Sequence, residues 1–113
     1  METPVTTIVA GAPVVTLVNV FHCKPEHQAE LIDLLRRTTE ETMSRFPGFV
    51  SANFHASLNG TRVLNYAQWR SREDFEAMLA DPQAAQLREA ARSISHDDPA
   101  MYAVTSVHHS RPE

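Results

Sequence analysis

The predicted fold is organised around one stretch, Val63-Leu64-Asn65-Tyr66-Ala67-Gln68-Trp69. β-Branched, aromatic and apolar residues dominate it, which is typical of a β-strand. Because side chains alternate along a strand, Asn65 lies on the same face as Trp69 and is the one amide among apolar neighbours there. An amide buried without a partner costs about 1–3 kcal/mol. Asn65 is therefore expected either to bond with another protein group or to bind a ligand.

Length and composition describe one globular domain. The chain has 113 residues, of which 42% are hydrophobic and 21% charged, and this composition excludes disorder and low complexity. The net charge of −4 argues against nucleic acid and anionic membranes as partners, and no apolar run approaches the about eighteen residues of a membrane span. The single cysteine, Cys23, fits a reducing compartment, so the cytoplasm is the expected location. The expected ligand is small or uncharged.

Helix and strand signals follow one another in the order β-α-β-β-α-(α)-β. Pro25 lies in the first turn of the first predicted helix, and Pro47-Gly48 stops that helix. Ser71 and Asp81 are the predicted N-caps of two later helices. The predicted elements are a strand over 14–21, a helix from 24 to 46, strands over 49–57 and 63–69, helices that start at 71 and 81, the second of them ending near His96, and a strand over 101–107.

A hairpin signal sets the register of the two central predicted strands. Asn59-Gly60 lies between two strand-like runs and predicts a two-residue type I′ turn. This turn places Phe54 opposite Asn65. It also places Val50 opposite Trp69, so all four side chains share one face, on which we expect the helices to pack.

The predicted order is the split βαβ pattern of ferredoxin-like α+β folds, with a four-stranded antiparallel sheet and both main helices on one face. Residues 14–107 form this domain, residues 1–13 a flexible N-terminal arm, and residues 108–113 a polar C-terminal tail. Nothing in the chain is predicted to cover the other face. An exposed apolar sheet face is expected to bind a second copy, which predicts a homodimer. That face would carry Val14, Val18, Val20, Leu64, Tyr66, Tyr102 and Val104.

Four parts of the sequence carry a resemblance to a known family: Asn19 in the first strand, Phe46-Pro47-Gly48-Phe49, Phe54-His55-Ala56-Ser57 and Asn65-Tyr66-Ala67-Gln68-Trp69. They resemble the antibiotic biosynthesis monooxygenase (ABM) family, and within it the anthrone oxygenases, the quinone-forming monooxygenases typified by the actinorhodin pathway. The resemblance covers about residues 14–107. It implies a dimeric α+β barrel with one pocket in each subunit, between the sheet and the helices.

The same resemblance implies the reaction. Family members of this type oxidise an anthrone-type aromatic polyketide to a quinone with O₂, without metal, flavin or haem. The substrate acts as the reductant, since loss of a proton gives an electron-rich anion that can reduce O₂. The protein is then expected to stabilise a developing oxyanion and to exclude water.

The resemblance implies catalytic roles for Asn19, Asn65 and Trp69. Each asparagine can donate an N–H to a substrate oxygen, and the tryptophan can stack on the polycycle or donate its indole N–H. The alternatives also stay open: each amide could satisfy a backbone group, and a single Trp in a small domain is usually part of the core.

Three further residues are predicted to bind the substrate. Arg88 matches a family arginine at the pocket mouth, where it could bind a carboxylate or an anionic oxygen; the alternative is a solvated arginine on the third helix. Phe54 and Phe75 are expected to line the pocket. Phe75 departs from close relatives, which have a tyrosine at the matching position, so this chain lacks that hydroxyl.

The sequence identifies no general base. His55 matches a family histidine, but alternation places it on the face away from Asn65 and Trp69, where a dimer interface is expected. The remaining histidines lack the spacing of a metal site, so no metal is predicted. Cys23 beside His22 has no third residue to orient a reactive thiol.

Three other functions are alternatives to quinone formation. Haem degradation in related proteins uses a proximal histidine nine or ten residues after the Trp, and Met78 and Leu79 occupy those positions here, which argues against it. Oxidative ring cleavage of a related polyketide stays open, because no residue separates it from quinone formation. A non-catalytic dimeric ligand-binding module also stays open, because fold alone does not decide function.

Overall fold

A computed structural model describes residues 3–112 of the chain. Residues 1–2 of the predicted N-terminal arm and residue 113 of the predicted C-terminal tail lie outside the described residues. No helix among the described residues has both the length and the apolar character to cross a membrane. The 3₁₀ turns Pro25–His27 and Met43–Arg45 flank the first helix. The main elements are β1 (Val15–Cys23), α1 (Gln28–Glu41), β2 (Phe49–Ala56), β3 (Arg62–Trp69), α2 (Arg72–Ala80), α3 (Pro82–Arg92) and β4 (Ser95–Tyr102).

The four strands form one antiparallel sheet in the order β2-β3-β1-β4. This order and the three helices confirm the predicted ferredoxin-like α+β fold. The helices pack on one face, called here the inner face, where they form two apolar clusters with alternate residues of β1 and β3. The first cluster contains Leu17, Ala67, Trp69, Phe75, Met78 and Ala84, and the second contains Phe21, Leu31, Val63 and Ala91.

Both later helices begin where their predicted caps are. The Oγ of Ser71 accepts a hydrogen bond from the backbone N–H of Asp74 at 3.0 Å, which satisfies one of the free donors at the start of α2. The Oδ2 of Asp81 accepts one from the N–H of Ala84 at 3.0 Å. Pro82 follows as the first residue of α3, a position that needs no N–H donor.

The hairpin between β2 and β3 has the predicted centre but not the predicted turn. Gly60 has a positive φ of +81° and no non-glycine residue among the described ones does, so Asn59 cannot form the type I′ turn, which needs two such residues. Instead, residues 58–61 form a longer loop, and Ser57 pairs with Arg62 through a backbone hydrogen bond of 3.0 Å. The observed loop has the same centre as the predicted turn, so this part of β2 and β3 pairs in the predicted register.

That register confirms one predicted pair and corrects the other. Phe54 faces Asn65 as predicted. Near the start of β2, however, the register shifts by one residue between Phe49 and Ser51. A β-bulge of this kind puts two residues opposite one. Phe49 therefore faces Trp69, and Val50, predicted to do so, is 44% exposed.

The last strand is also corrected. The sequence predicts a strand over 101–107 after a turn at Asp97-Asp98-Pro99, but β4 begins at Ser95 and ends at Tyr102, and α3 ends at Arg92 rather than near His96. Aspartate and proline are disfavoured in strands, which caused the error. β4 lies at an edge of the sheet, where a proline that donates no hydrogen bond is tolerated.

Two residues of the N-terminal arm form hydrogen bonds with the sheet. The Nε2 of Gln68 donates to the backbone oxygen of Thr7 at 2.9 Å, and the hydroxyl of Thr6 donates to the side chain of Asn53. Thr16, which faces Gln68, is only 2% exposed. Thr6 and Thr7 therefore cover part of the outer face of the sheet, which corrects the prediction that nothing in the chain covers it.

Candidate active site

A cavity of about 670 Å³ lies between the inner face of the sheet and the three helices. This volume is in the range of small-molecule sites, about 300–1,000 Å³. Every strand and every helix contributes to its wall, and most of the wall is apolar. The six residues that the sequence predicts for the site all line this cavity: Asn19, Phe54, Asn65, Trp69, Phe75 and Arg88.

Two amides face each other in the wall of the cavity. Asn19 of β1 lies directly opposite Asn65 of β3 in the antiparallel register. Phe54 of β2 lies opposite Asn65 on its other side. A row of side chains thus crosses three strands of the sheet, with an aromatic ring at one end and two amides beside it.

Each amide has one end held by the protein. The Oδ1 of Asn65 accepts a hydrogen bond from the backbone N–H of Asn53 at 3.2 Å, which leaves Nδ2 as the end available to a ligand. The Nδ2 of Asn19 donates to Oδ2 of Asp97 at 3.2 Å. The Oδ1 of Asn19 is buried and has no donor among residues 3–112. The site therefore combines one amide donor with one buried acceptor.

Trp69 belongs both to the core and to the cavity wall. It is 2% exposed, and its ring packs edge-on against Phe49 at 5.5 Å and against Phe75 at 5.9 Å between centroids. Such edge-to-face contacts fix the orientation of an aromatic ring. Phe75 is itself buried, so it supports the position of Trp69 from the side of the helices.

Arg88 is held at the cavity by the end of α2. Its Nη2 donates to the backbone oxygen of Leu79 at 3.0 Å, and its Nη1 lies 3.7 Å from Sδ of Met78. Burial lowers the pKa of the Arg88 guanidinium from its ordinary value, the positive charge of Arg92 lowers it further, and Asp97 opposes this shift. Arg88 is thus partly buried among the cavity residues and is not the freely solvated arginine of the alternative interpretation.

Asp97 is the site residue that the sequence interpretation missed. Its side chain lines the cavity and is 19% exposed. It bonds to Asn19, and its Oδ1 lies 3.6 Å from Nε of Arg92. The interpretation placed Asp97 in a turn. Counting alternate residues back from Met101, which also lines the cavity, would have put Asp97 on the inner face.

His55 lies outside the cavity. It is exposed on the outer face of the sheet, where it lines a shallow groove with Leu64 and Asp98, as the alternation argument predicts. Its Nδ1 lies 3.1 Å from the backbone oxygen of Asn53. Within residues 3–112, no three His, Cys, Asp or Glu side chains are grouped so that they could hold a metal ion.

The fold and the cavity together define a class: small α+β proteins of ferredoxin-like topology with an apolar, amide-containing pocket between the sheet and the helices. A sequence profile described as antibiotic biosynthesis monooxygenase matches residues 14–90. The chain belongs to this family.

Three proteins are similar to this chain in sequence or in structure. Tetracenomycin-F1 monooxygenase of Streptomyces glaucescens is 48% identical over 99 residues, which cover 88% of each chain. A monooxygenase from the gene ActVA-Orf6 of Streptomyces coelicolor, solved with nanaomycin D, is 32% identical, has a TM-score of 0.77 and covers 86% of this chain and 92% of its own. SnoaB of Streptomyces nogalater, a cofactor-independent oxygenase, is 27% identical with a TM-score of 0.72, and the match covers 90% of this chain and all of SnoaB.

Proposed function

We propose that this protein is a cofactor-independent monooxygenase that uses O₂ to oxidise an anthrone-type aromatic polyketide to a quinone. The observation that carries the proposal is the facing pair Asn19 and Asn65 in the wall of an apolar cavity of about 670 Å³. The names of the relatives support it: one is a tetracenomycin F1 monooxygenase, and SnoaB is a cofactor-independent oxygenase. Both kinds of support are needed, because fold alone does not assign a reaction.

The substrate supplies the electrons in this reaction. An anthrone loses a proton from its central methylene group, and the resulting delocalised anion passes one electron to O₂. Recombination of the two radicals forms a carbon–oxygen bond and gives a peroxide, which loses water to leave the new carbonyl. One oxygen atom enters the quinone and the other leaves as water. The protein has to stabilise the anion and keep bulk water away from the radical pair.

The two amides are suited to a hydroxyanthrone, in which a phenolic hydroxyl lies next to a carbonyl. The Nδ2 of Asn65 donates to the carbonyl oxygen, where negative charge develops after deprotonation. The Oδ1 of Asn19 is a buried acceptor with no donor within residues 3–112, and it accepts from the neighbouring hydroxyl of the bound substrate. An unsatisfied buried acceptor costs about 1–3 kcal/mol, so a ligand that satisfies it gains binding energy.

The aromatic and charged residues position the ring system. Phe54 offers a ring surface to the polycycle. Trp69, which is 2% exposed, forms part of the cavity wall, and Phe75 holds it in its orientation through their edge contact. Arg88 binds a carboxylate or an anionic oxygen on the substrate, since a guanidinium donates to such groups with two N–H bonds.

A homodimer is part of the proposal. The outer face of the sheet carries half-buried apolar residues beyond the part that the N-terminal arm covers, and these would pack on the same face of a second copy. The residues in question are Val18, Val20, Leu64 and Tyr66.

The test is aerobic turnover of dithranol or emodin anthrone by metal-free protein, followed by quinone absorbance. We expect quinone to form well above the spontaneous rate. Asn65→Ala should lower kcat by about 10²-fold, the usual cost of one oxyanion donor, and Trp69→Phe should also lower it. Asn59→Ala, which removes an exposed amide from the hairpin loop, is the matched control and should retain the wild-type rate.

Two results would contradict the proposal. Binding of the anthrone by folded protein without acceleration would favour a ligand-binding module. Ring-opened products in the mass spectrum would favour oxidative carbon–carbon cleavage at the same site.

A further inference from the structure

The proposed reaction needs a group that takes a proton from the substrate. We propose that Asp97 is this general base. The inference rests on the proposed function, because only a substrate that must be deprotonated before O₂ is reduced requires such a group.

The composition of the cavity wall points to Asp97. Among the described residues that line the cavity, two carry carboxylates, Glu76 and Asp97, and the lining includes no His, Cys, Lys or Tyr. Glu76 lies at the rim, where it is 56% exposed and bonded to Arg72 at 2.9 Å. Asp97 is 19% exposed. Of the two carboxylates, only Asp97 is sheltered enough from water to meet an enclosed substrate.

The neighbours of Asp97 hold it in place beside the amides. Its Oδ2 accepts from Nδ2 of Asn19 at 3.2 Å, and Asn19 faces Asn65 across the sheet. The proton acceptor and the oxyanion donor are therefore linked through one residue. The cations of Arg88 and Arg92 on α3 act on the same region, since Arg92 lies 3.6 Å from Asp97 and Asp97 influences the pKa of Arg88.

The proton moves twice in the cycle. The Asp97 carboxylate takes one methylene proton of the anthrone, the C–H bond breaks, and its electron pair stays on the ring system as the anion. O₂ is the oxidant, and it forms the peroxide with the oxidised substrate. The Asp97 carboxylic acid then protonates the peroxide, which loses water to form the carbonyl, so that CH₂ and O₂ give C=O and H₂O and the carboxylate is restored.

Asp97→Asn is the first test. The variant has nearly the same shape and can still accept the hydrogen bond of Asn19 through its own oxygen, but it cannot take a proton. We expect kcat for emodin anthrone to fall by about 10²-fold or more, the usual contribution of a general base. Asp98→Asn is the matched control, because Asp98 is the next residue on β4 and lines the groove on the opposite face; it should retain the wild-type rate.

A rescue experiment separates proton transfer from mere positioning of Asn19. Asp97→Ala should be inactive in buffer and should regain activity in proportion to added formate, which supplies the missing carboxylate. If the carboxylate takes the proton, rescue by the more basic acetate should be faster than rescue by formate. A positioning role, in which the added carboxylate only accepts the hydrogen bond of Asn19, would give rescue that does not depend on basicity. Circular dichroism and thermal melting of each variant check that it is folded.

The results also separate this inference from the proposed function. If the wild type accelerates quinone formation and Asp97→Asn does so equally, Asp97 is not the base, while the oxygenase function stands. If Asp97→Asn is slow but the rescue of Asp97→Ala is absent or does not depend on the basicity of the added carboxylate, the base assignment is again overturned and Asp97 only positions Asn19. If the wild type itself gives no acceleration, the proposed function fails first.

Discussion

Asn65 and Asn19 each form a hydrogen bond within the protein, and each has a proposed role in binding the substrate. The sequence interpretation left two choices for Asn65, a protein partner or a ligand. Its oxygen has a protein partner in the N–H of Asn53, while its Nδ2 remains as a donor toward a ligand. Asn19 is the reverse, since its Nδ2 is held by Asp97 and its oxygen has no donor among residues 3–112. Each asparagine therefore has one atom bonded to the protein and one atom toward a ligand.

Arg88 provides a test of substrate charge. Arg88→Met removes the guanidinium but keeps a long apolar side chain. For a carboxylated hydroxyanthrone we expect KM to rise by about 10–100-fold, because a hydrogen bond to a charged group contributes about 1.5–3 kcal/mol. For uncharged emodin anthrone KM should change little. Initial rates with the two substrates measure this difference.

Arg36→Met is the control for Arg88, because Arg36 lies in an exposed ion-pair cluster on α1. It should leave both KM values unchanged. Equal increases of KM for the two substrates in Arg88→Met would mean that Arg88 supports the end of α2 and does not bind an anionic group.

The turn before β2, at Gly48, lies against the start of α2. Gly48 has a φ of +84°, and a Cβ at this position would collide with the side chain of Asp74. Asp74 is part of the cap of α2, since its N–H donates to Ser71 and the Ser71 hydroxyl donates to its carboxylate, both at 3.0 Å. The turn that ends the first helical segment and the cap that begins the second are therefore in contact.

We expect Gly48→Ala to lower the free energy of unfolding more than Gly11→Ala does. Gly11 has a similar φ of +73° but nothing within 4 Å of its added Cβ, so that variant bears only the cost of the left-handed backbone, about 1–2 kcal/mol at most. Gly48→Ala adds the clash and the disturbed cap. Urea denaturation of the two variants measures the difference. Equal losses would mean that Asp74 moves aside without cost.

The proposed homodimer would use the outer face of the sheet. The N-terminal arm covers the region around Thr16 and Gln68, whereas a shallow groove lined by Val20, His55 and Leu64 remains open. If this region forms the dimer interface, both copies bury the same patch, as a two-fold axis requires.

A charge placed in this groove tests the dimer. Light scattering after gel filtration should give the wild type about twice the 12.6 kDa mass of one chain. Leu64→Glu should elute as a monomer, because a charge would replace an apolar side chain that the interface buries. Leu58→Glu places the same charge on a fully exposed loop residue and should remain dimeric. A wild type that elutes at the mass of one chain would rule out the predicted homodimer.

Much of the fold and part of the site could be predicted from the sequence. Alternation along β3 and the centre of the hairpin loop place Phe54 opposite Asn65, and the caps at Ser71 and Asp81 start α2 and α3. These features depend on residues close together in the chain, so local patterns are sufficient to predict them. The resemblance to the ABM family selected the six predicted site residues, all of which line the cavity.

The tertiary structure decided what depends on distant parts of the chain. The sequence alone determined which residues of β1 and β3 face the helices, because the period of a strand is local. In β2 and β4 this pattern was insufficient, because a bulge shifts the start of β2 and β4 begins earlier than predicted. Only the fold brought Asn19 opposite Asn65 and Asp97 beside Asn19, since strand register and the order of strands join segments far apart in sequence. It also extended β4 through Asp97 and Pro99, because an edge strand tolerates residues that local propensity assigns to a turn.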